Sequence, residues 1–230
     1  MKDLVVLYKS VFWPKVEQGL EITENYAPPS STPAQMMDTD WQYAPEQSVL
    51  FADKHDVMIQ AGGNVGFYVQ KYAKIFKTVY TFEPLPLSFY CLNLNVTTDN
   101  VFKFNCCVGN INECVSMIDE TARLGHGGSH VNPNANIDVK TTPTIRIDDL
   151  NLQTCDLIAL DLEGFELNAL LGSIETIIRC KPAIILEDPN CWSCRFNSNK
   201  EKIEQFLSSL NYKFVGTVPC NNDYVYKHIV

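Results

Sequence analysis

The stretch Val57-Met58-Ile59-Gln60-Ala61-Gly62-Gly63-Asn64-Val65-Gly66 decides how this chain should fold. Val57 to Ile59 is a short apolar run and reads as a buried central strand, ended by a glycine turn. Glycine is needed there because the backbone must turn sharply and let a ligand approach without Cβ atoms in the way. Val69, Tyr72, Ala73 and Phe76 then recur at the spacing of a helix inner face. The first amides of that helix would face a ligand held at the turn. A dinucleotide loop carries G-x-G-x-x-G, whereas Gly62 to Gly66 is G-x-x-x-G and lacks one glycine. Glu83 follows Gly62 by 21 residues and closes the next strand, Thr78 to Phe82. A carboxylate there can accept both hydrogen bonds of a ribose diol. Turn and carboxylate together predict a nucleoside cofactor, with NAD disfavoured.

Outward from this turn, strand and helix patterns alternate, which predicts a doubly wound α/β sheet covered on both faces. Phe89, Leu92 and Val96 mark a helix begun near Pro86, and Val101 to Val108 reads as a third strand. Cys155 to Leu160 is a fourth, followed by one helix carrying Leu167, Leu170, Leu171, Ile174 and Ile178. Pro182 opens a fifth strand, Ala183 to Leu186; Ile203, Phe206, Leu207 and Leu210 form the stripe of a last helix. Lys213 to Val218 and Tyr224 to Ile229 are expected as an antiparallel edge, which makes seven strands. Residues 113–147 break the rhythm: glycines and asparagines flank short β-prone pieces, so a β-rich, hairpin-like insertion is expected. Residues 1–50 read as an N-terminal extension with an irregular connection around Pro28, Pro29, Pro33 and Pro45, and 51–230 as the main domain.

Composition narrows the function classes. With 230 residues, 46% hydrophobic and 20% charged, the chain is an ordinary globular one. A net charge of −9 argues against a long phosphate-binding groove, so nucleic acid is not the expected partner. The nine cysteines are scattered and read as free thiols in a reducing compartment. Cys191-Trp192-Ser193-Cys194 has C-x-x-C spacing but no second pair, and is read as structural rather than zinc-binding. No apolar run approaches a membrane span, and Leu4 to Leu7 is too short for a signal peptide. A cytoplasmic protein without a membrane partner is expected.

Several ordered motifs resemble the FkbM-type methyltransferases. Gln60-Ala61-Gly62-Gly63-Asn64-Val65-Gly66-Phe67-Tyr68 is similar to their D-x-G-x-N-x-G-F-Y turn, and Phe82-Glu83-Pro84 to the strand end after it. Asn105 to Gly109, Ile147-Asp148-Asp149-Leu150, Asp156 to Glu166 and Lys181 to Glu187 resemble later segments in the same order. The resemblance implies a Rossmann-like class I methyltransferase fold and S-adenosyl-L-methionine as cofactor. It also implies methyl transfer to a hydroxyl of a sugar, glycan or secondary metabolite. The cofactor residues it implies are Gln60, Ala61, Gly62, Asn64, Gly66, Glu83, Pro84, Cys107 and Asp161. Gln60 departs from the family, which usually has Asp there to help hold the cofactor's ammonium. An ionised acceptor holds an ammonium about twice as strongly as a neutral one, so Gln60→Asp is expected to tighten binding.

For the chemistry, Asp161 and Glu163 end the fourth strand, beside the crevice where doubly wound sheets bind ligands. Strand alternation would project them the same way. Such a pair can orient a hydroxyl, act as base, or hold a divalent cation, with Glu187 completing the set. Glu163 and Glu166 also have a plainer reading, as acids near a helix N-terminus. His126 and His130 lie in Gly125-His126-Gly127-Gly128-Ser129-His130, within the insertion, and are further candidate bases against the commoner reading as solvent-facing loop residues. Trp41 and Tyr43 read either as a wall of the substrate pocket or as core. Two alternatives stay open: an RNA ribose 2'-O-methyltransferase using Asp161 and Lys181, and a non-catalytic cofactor-binding subunit suggested by Gln60.

Overall fold

Strands β1 (Val57–Ala61), β2 (Thr78–Phe82), β3 (Val101–Phe104), β4 (Leu157–Leu160), β5 (Ala183–Leu186), β6 (Tyr212–Thr217) and β7 (Tyr224–His228) form one sheet. The computed structural model describes residues 1–120, 128–134, 141–187, 196 and 199–229. Across the sheet the order is β3-β2-β1-β4-β5-β7-β6. The first five strands pair in parallel, and β7 runs antiparallel to both β5 and β6. The expected seven strands with an antiparallel edge are therefore present. Connections leave β1 and β4 in opposite directions, so a crevice opens between their carboxyl ends.

Neighbouring residues on the central strands are buried on opposite faces, as a doubly covered sheet requires. Met58, Leu157 and Ile185 face α1 (Phe67–Tyr72) and α2 (Pro86–Asn95). Ile59, Ile158 and Ile184 face α3 (Glu166–Leu171), α4 (Ile174–Cys180) and α5 (Lys200–Ser209). The predicted inner faces of α1 and α5 are the observed ones: Val69, Tyr72, Ala73 and Phe76, and Ile203 and Leu207, are buried.

Three elements differ from expectation. The third strand stops at Phe104, and Cys107–Val108 joins a separate three-stranded sheet with Cys114–Val115 and Thr142–Ile145. Asn105 holds the break, donating from its side-chain amide to the carbonyls of Glu83 at 2.8 Å and Pro84 at 3.1 Å. The single helix expected after β4 is two: the first ends at Leu171, the Gly172 carbonyl accepts from the Asp148 amide at 3.0 Å, and Gly172 packs so close to Gly109 that a Cβ would lie 1.9 Å from the Gly109 carbonyl oxygen. Asp148 then caps α4, accepting from the amides of Glu175 at 3.1 Å and Thr176 at 2.8 Å. The break shifts the helical phase: Ile177 faces inward, while Leu171 and Ile178 are exposed.

Third, residues 1–50 are built structure. The hairpin Val5–Tyr8 with Val11–Pro14 is followed by the short pair Val16–Glu17 and Leu20–Glu21. In place of the irregular connection stand two short helices, Thr32–Asp38 and Ala44–Ser48. Pro33 and Pro45 occupy their first turns, where a missing N–H costs nothing. The Glu17 carboxylate accepts from the Thr32 amide, an acid against a helix N-terminus. This unit docks on α1 and α2. Trp13 is fully buried near Phe67, and Asn95 of α2 bonds both the amide and the carbonyl of Phe12. Within the insertion, Met117–Ile118 pairs antiparallel with His130–Val131. Cys191 and Cys194 lie outside the described residues. Among the described residues no helix is long and apolar enough to cross a membrane.

Candidate functional site

The glycine turn is fixed by sterics from both sides. Gly62 has φ +90°, and a Cβ on it would sit 2.1 Å from the Asp161 carbonyl oxygen. No other residue tolerates both constraints. The amides of Gly62 and Gly63 both donate to the Phe82 carbonyl, at 3.1 and 2.9 Å, which locks the turn against the end of β2. Gln60 lies beneath it. Its side-chain amide donates to the Gly62 carbonyl at 2.9 Å and accepts from the Thr81 hydroxyl at 2.7 Å.

Over the carboxyl ends of β1, β2, β4 and β5 lies a cavity of about 470 Å³, within the range of small-molecule sites. Of the nine expected cofactor residues, Gly62, Asn64, Glu83, Pro84, Cys107 and Asp161 border it. Gln60, Ala61 and Gly66 do not: Ala61 is fully buried in β1, and Gly66 packs its backbone against Leu92 and Val96. Glu83 is buried, and its oxygens accept from the amides of Asn64 at 2.8 Å and Leu85 at 2.7 Å. Burial raises its carboxyl to a pKa of about 7; the two amides oppose the rise and the charge of Asp161 adds to it. Beside it the side-chain oxygen of Asn64 is buried without a hydrogen-bond donor among the described residues. A Cβ-free turn, a carboxylate for a diol and an orphaned acceptor together fit a nucleoside cofactor.

Across the cavity from Glu83 stands an acidic group. Strand β4 ends at Leu160, so alternation does not extend to Asp161 and Glu163. Left-handed backbone brings them together instead, with Glu163 at φ +55° and Gly164 at φ +104°. Glu166 holds this loop by accepting from the amides of Leu162 at 2.9 Å and Gly164 at 3.2 Å. Carboxylate oxygens of Asp161, Glu163 and Glu187 lie within 4.8 Å of one another. An all-oxygen set of this kind can hold a hard divalent cation. Asp161 opens onto the cavity, but the protein packed around it, and then Glu166, raises its carboxyl well above the usual range. Burial, followed by Asp161, Glu163, Glu166 and Asp223, raises Glu187 as well.

His130 is buried on the insertion's strand, borders the cavity, and has Nδ1 3.1 Å from the Gly128 carbonyl. His126 lies outside the described residues. Cys107 borders the cavity with its thiol 3.6 Å from the Met117 sulfur, pushed up chiefly by burial. Trp41 borders the cavity and Tyr43 does not. Thr32, Gln35 and Met36 line it too, and nothing in their residue types signalled this. Asn221 and Asp223 also line it; here a signal existed, because β6 parallel to β5 puts the β6–β7 turn on the carboxyl edge. Lys181 sits at the amino end of β5, the opposite edge of the sheet from Asp161. Among the described residues no Lys or Arg borders the cavity.

The methyltransferase FkbM domain matches residues 60–214. Methyltransferase FkbM from Methylobacillus flagellatus superposes with a TM-score of 0.53 at 16% identity, over 77% of this chain and 44% of that one. This chain thus spans less than half the length of that relative, and the likeness is one of fold. A SAM dependent methyltransferase from Aquifex aeolicus gives 0.48 at 12% identity, over 89% of this chain and 100% of that one. Ribosomal protein L11 methylase from Lactobacillus delbrueckii subsp. bulgaricus gives 0.46 at 11%, over 86% and 80%. No curated protein matches significantly. With its family match covering residues 60–214 and its sheet order that of the class I methyltransferase fold, the chain belongs to the FkbM methyltransferase domain family.

Proposed function

We propose that the protein is an S-adenosyl-L-methionine-dependent O-methyltransferase whose acceptor is a hydroxyl of a small sugar, glycan or secondary metabolite. The observation that carries this reading is one cavity with the glycine turn and Glu83 on one side and Asp161 on the other. Bound there, the cofactor supplies a methyl group on a sulfonium already activated for displacement. The protein's tasks are then alignment and proton removal. Gly62 and Gly63, without Cβ atoms, let the turn close against Asp161 and Thr81 where it borders the cavity, and Glu83 accepts from the cofactor's ribose hydroxyls. Asp161, with its carboxyl raised toward neutrality, is a competent base for the acceptor hydroxyl as the new O–C bond forms. His130 is a second candidate on the insertion's wall.

A cation-assisted variant has its own support in the clustered oxygens of Asp161, Glu163 and Glu187. In it those carboxylates hold a divalent cation that orients the hydroxyl. The ribose-methylation reading is weakened by the cavity's lack of Lys or Arg among the described residues and by the position of Lys181. The non-catalytic reading loses its motive, since Gln60 has a structural task under the turn. Seven free thiols among the described residues support a reducing, cytoplasmic setting.

Methyl-labelled S-adenosylmethionine incubated with hydroxylated metabolites, glycans and capped RNA, with and without a chelator, tests the reading. Label in an uncharged hydroxylated small molecule or glycan is expected. Label in RNA alone would overturn it, and a chelator-sensitive rate would select the cation-assisted form.

A further inference from the structure

Of the two tryptophans among the described residues, Trp13 is fully buried near Phe67, whereas Trp41 borders the cavity and is 44% exposed. A single exposed apolar residue needs no explanation by itself. Trp41 is set apart by how it is held. Its amide donates to the Thr39 hydroxyl at 3.2 Å, and its carbonyl accepts from the Tyr68 hydroxyl at 2.9 Å. The next carbonyl, of Gln42, accepts from the Lys71 ammonium. Tyr68 and Lys71 both belong to α1, so the backbone is pinned there and its polar groups are engaged. What remains to face a ligand is the indole. Among the described residues it makes no ring–ring or cation–π contact, whereas the Tyr43 ring has the Lys71 ammonium at 5.9 Å.

The anchor of Trp41 also places it. Behind the main cavity is a smaller chamber of about 30 Å³, and Tyr68 and Asp161 border both spaces, whereas Glu83 borders only the larger. Trp41 is therefore tied to the Asp161 side of the site. In both forms of the proposed reaction the acceptor hydroxyl sits at Asp161, either directly or through a cation held there. We infer that Trp41 seats the acceptor: a neutral pyranose ring lies with its C–H face on the indole and turns its hydroxyls to the carboxylates. This rests on the methyltransferase reading above and names for it a residue that lies before the family-matched stretch, which begins at 60.

The chemistry of the walls selects this occupant. An aromatic face is electron-rich and attracts the positive hydrogens of C–H bonds. A pyranose has a face of such hydrogens and a rim of hydroxyls, so it needs an aromatic floor and hydrogen-bonding walls. Trp41 supplies the floor. Asp161, Glu163 and Glu187 border the same cavity and accept from hydroxyls. Gln35, on the helix just before Trp41, borders it too and adds an amide that both donates and accepts. A nucleobase would also stack on an indole, but it brings a phosphate with it. With no Lys or Arg on the cavity among the described residues, neither a phosphate nor a sugar carboxylate finds a partner there.

Saturation-transfer NMR on protein loaded with S-adenosylhomocysteine tests the assignment. The probes are the methyl pyranosides of glucose, galactose, mannose and xylose, with glucuronate and uridine 5'-monophosphate as the anionic counterparts. At least one methyl pyranoside is expected to bind, with transfer strongest to its ring C–H protons, and neither anion is. Trp41→Ala is expected to weaken that binding about fivefold and Trp41→Phe, which keeps a ring, by less than about twofold. Calorimetry should find the S-adenosylhomocysteine affinity of both variants within about twofold of the wild type. Pyranoside binding unchanged in Trp41→Ala, an equal loss of S-adenosylhomocysteine affinity, or binding of uridine 5'-monophosphate in place of the pyranosides would overturn the assignment. So would loaded wild-type protein that takes none of the pyranosides. Wild-type protein that does not bind S-adenosylhomocysteine at all would remove the methyltransferase reading, and the assignment with it. Should Trp41→Ala fail to fold, a crystal structure of the loaded wild type with the bound pyranoside decides. Sugar carbons within about 4.5 Å of the indole face support the assignment, and a sugar seated elsewhere overturns it.

Discussion

The two sides of the cavity are made in different ways. The cofactor side comes from one continuous stretch, residues 57–84, in which a strand, a glycine turn, a helix and a second strand follow in order. The opposite side is gathered from five distant places: the loop after β4, the end of β5 with Glu187, the insertion strand with His130, the helix Thr32–Asp38 with Trp41, and the turn with Asn221 and Asp223. On the first side each residue is constrained by its own neighbours in sequence. On the second, no segment has a reason to carry its polar residues until the others are in place. Backbone changes should therefore ruin the first side, whereas the second should lose chemistry while keeping its fold.

The largest effect is expected at Gly62. Gly62→Ala combines a strained positive φ with a Cβ driven into the Asp161 carbonyl. A stability loss of about 3 kcal/mol and loss of S-adenosylhomocysteine binding are expected. Denaturant unfolding and calorimetry measure the two; a variant as stable and as tight as the parent would erase the distinction between the sides. Next comes Asp161→Asn, with turnover on an identified acceptor down about a hundredfold and cofactor affinity and melting temperature little changed. Equal losses in rate and affinity would move Asp161 to the cofactor side.

How much of this the sequence discloses follows the same division. The Gly62 turn, Glu83, all seven strands and the buried stripes of α1 and α5 are legible because they rest on local period and turn chemistry. The break at Gly172 is not, since the contacts made there, with the Asp148 amide and with Gly109, 63 residues away in sequence, are long-range. Pro33 and Pro45 misled, because a proline in a first helical turn looks the same as one in a loop. Asp161 was legible as a strand-end acid, but its meeting with Glu163 depends on the left-handed backbone at Glu163. Gln60 is the instructive residue. As sequence it looked like a weakened ammonium contact; as structure it is a clasp inside the cofactor turn.

That reverses the expectation for Gln60→Asp. A carboxylate would face the Gly62 carbonyl with no proton to donate, so destabilisation of about 1–2 kcal/mol is expected, without a gain in affinity. Tighter binding of S-adenosylhomocysteine would return position 60 to the ammonium. The smallest effect concerns pH. Burial raises the Glu83 carboxyl from the usual carboxylate range to about 7 in the folded protein. Its contribution to stability is therefore full below about pH 4.5 and is lost as pH rises through 7. The ligand-free protein should melt a few degrees lower at pH 8 than at pH 5.5. S-adenosylhomocysteine should narrow the gap, because its ribose hydroxyls favour the ionised Glu83. A melting point that rises with pH across this window would mean that Glu83 is charged throughout.

The account stands or falls on what the Gly62–Glu83 side binds, and that can be measured without knowing the acceptor. Calorimetric titration of the wild-type protein with S-adenosylhomocysteine and, separately, with NAD addresses it directly. The prediction is saturable binding of S-adenosylhomocysteine in the micromolar range, with a matching rise in melting temperature, and no heat from NAD. Binding of NAD with none of S-adenosylhomocysteine would contradict it.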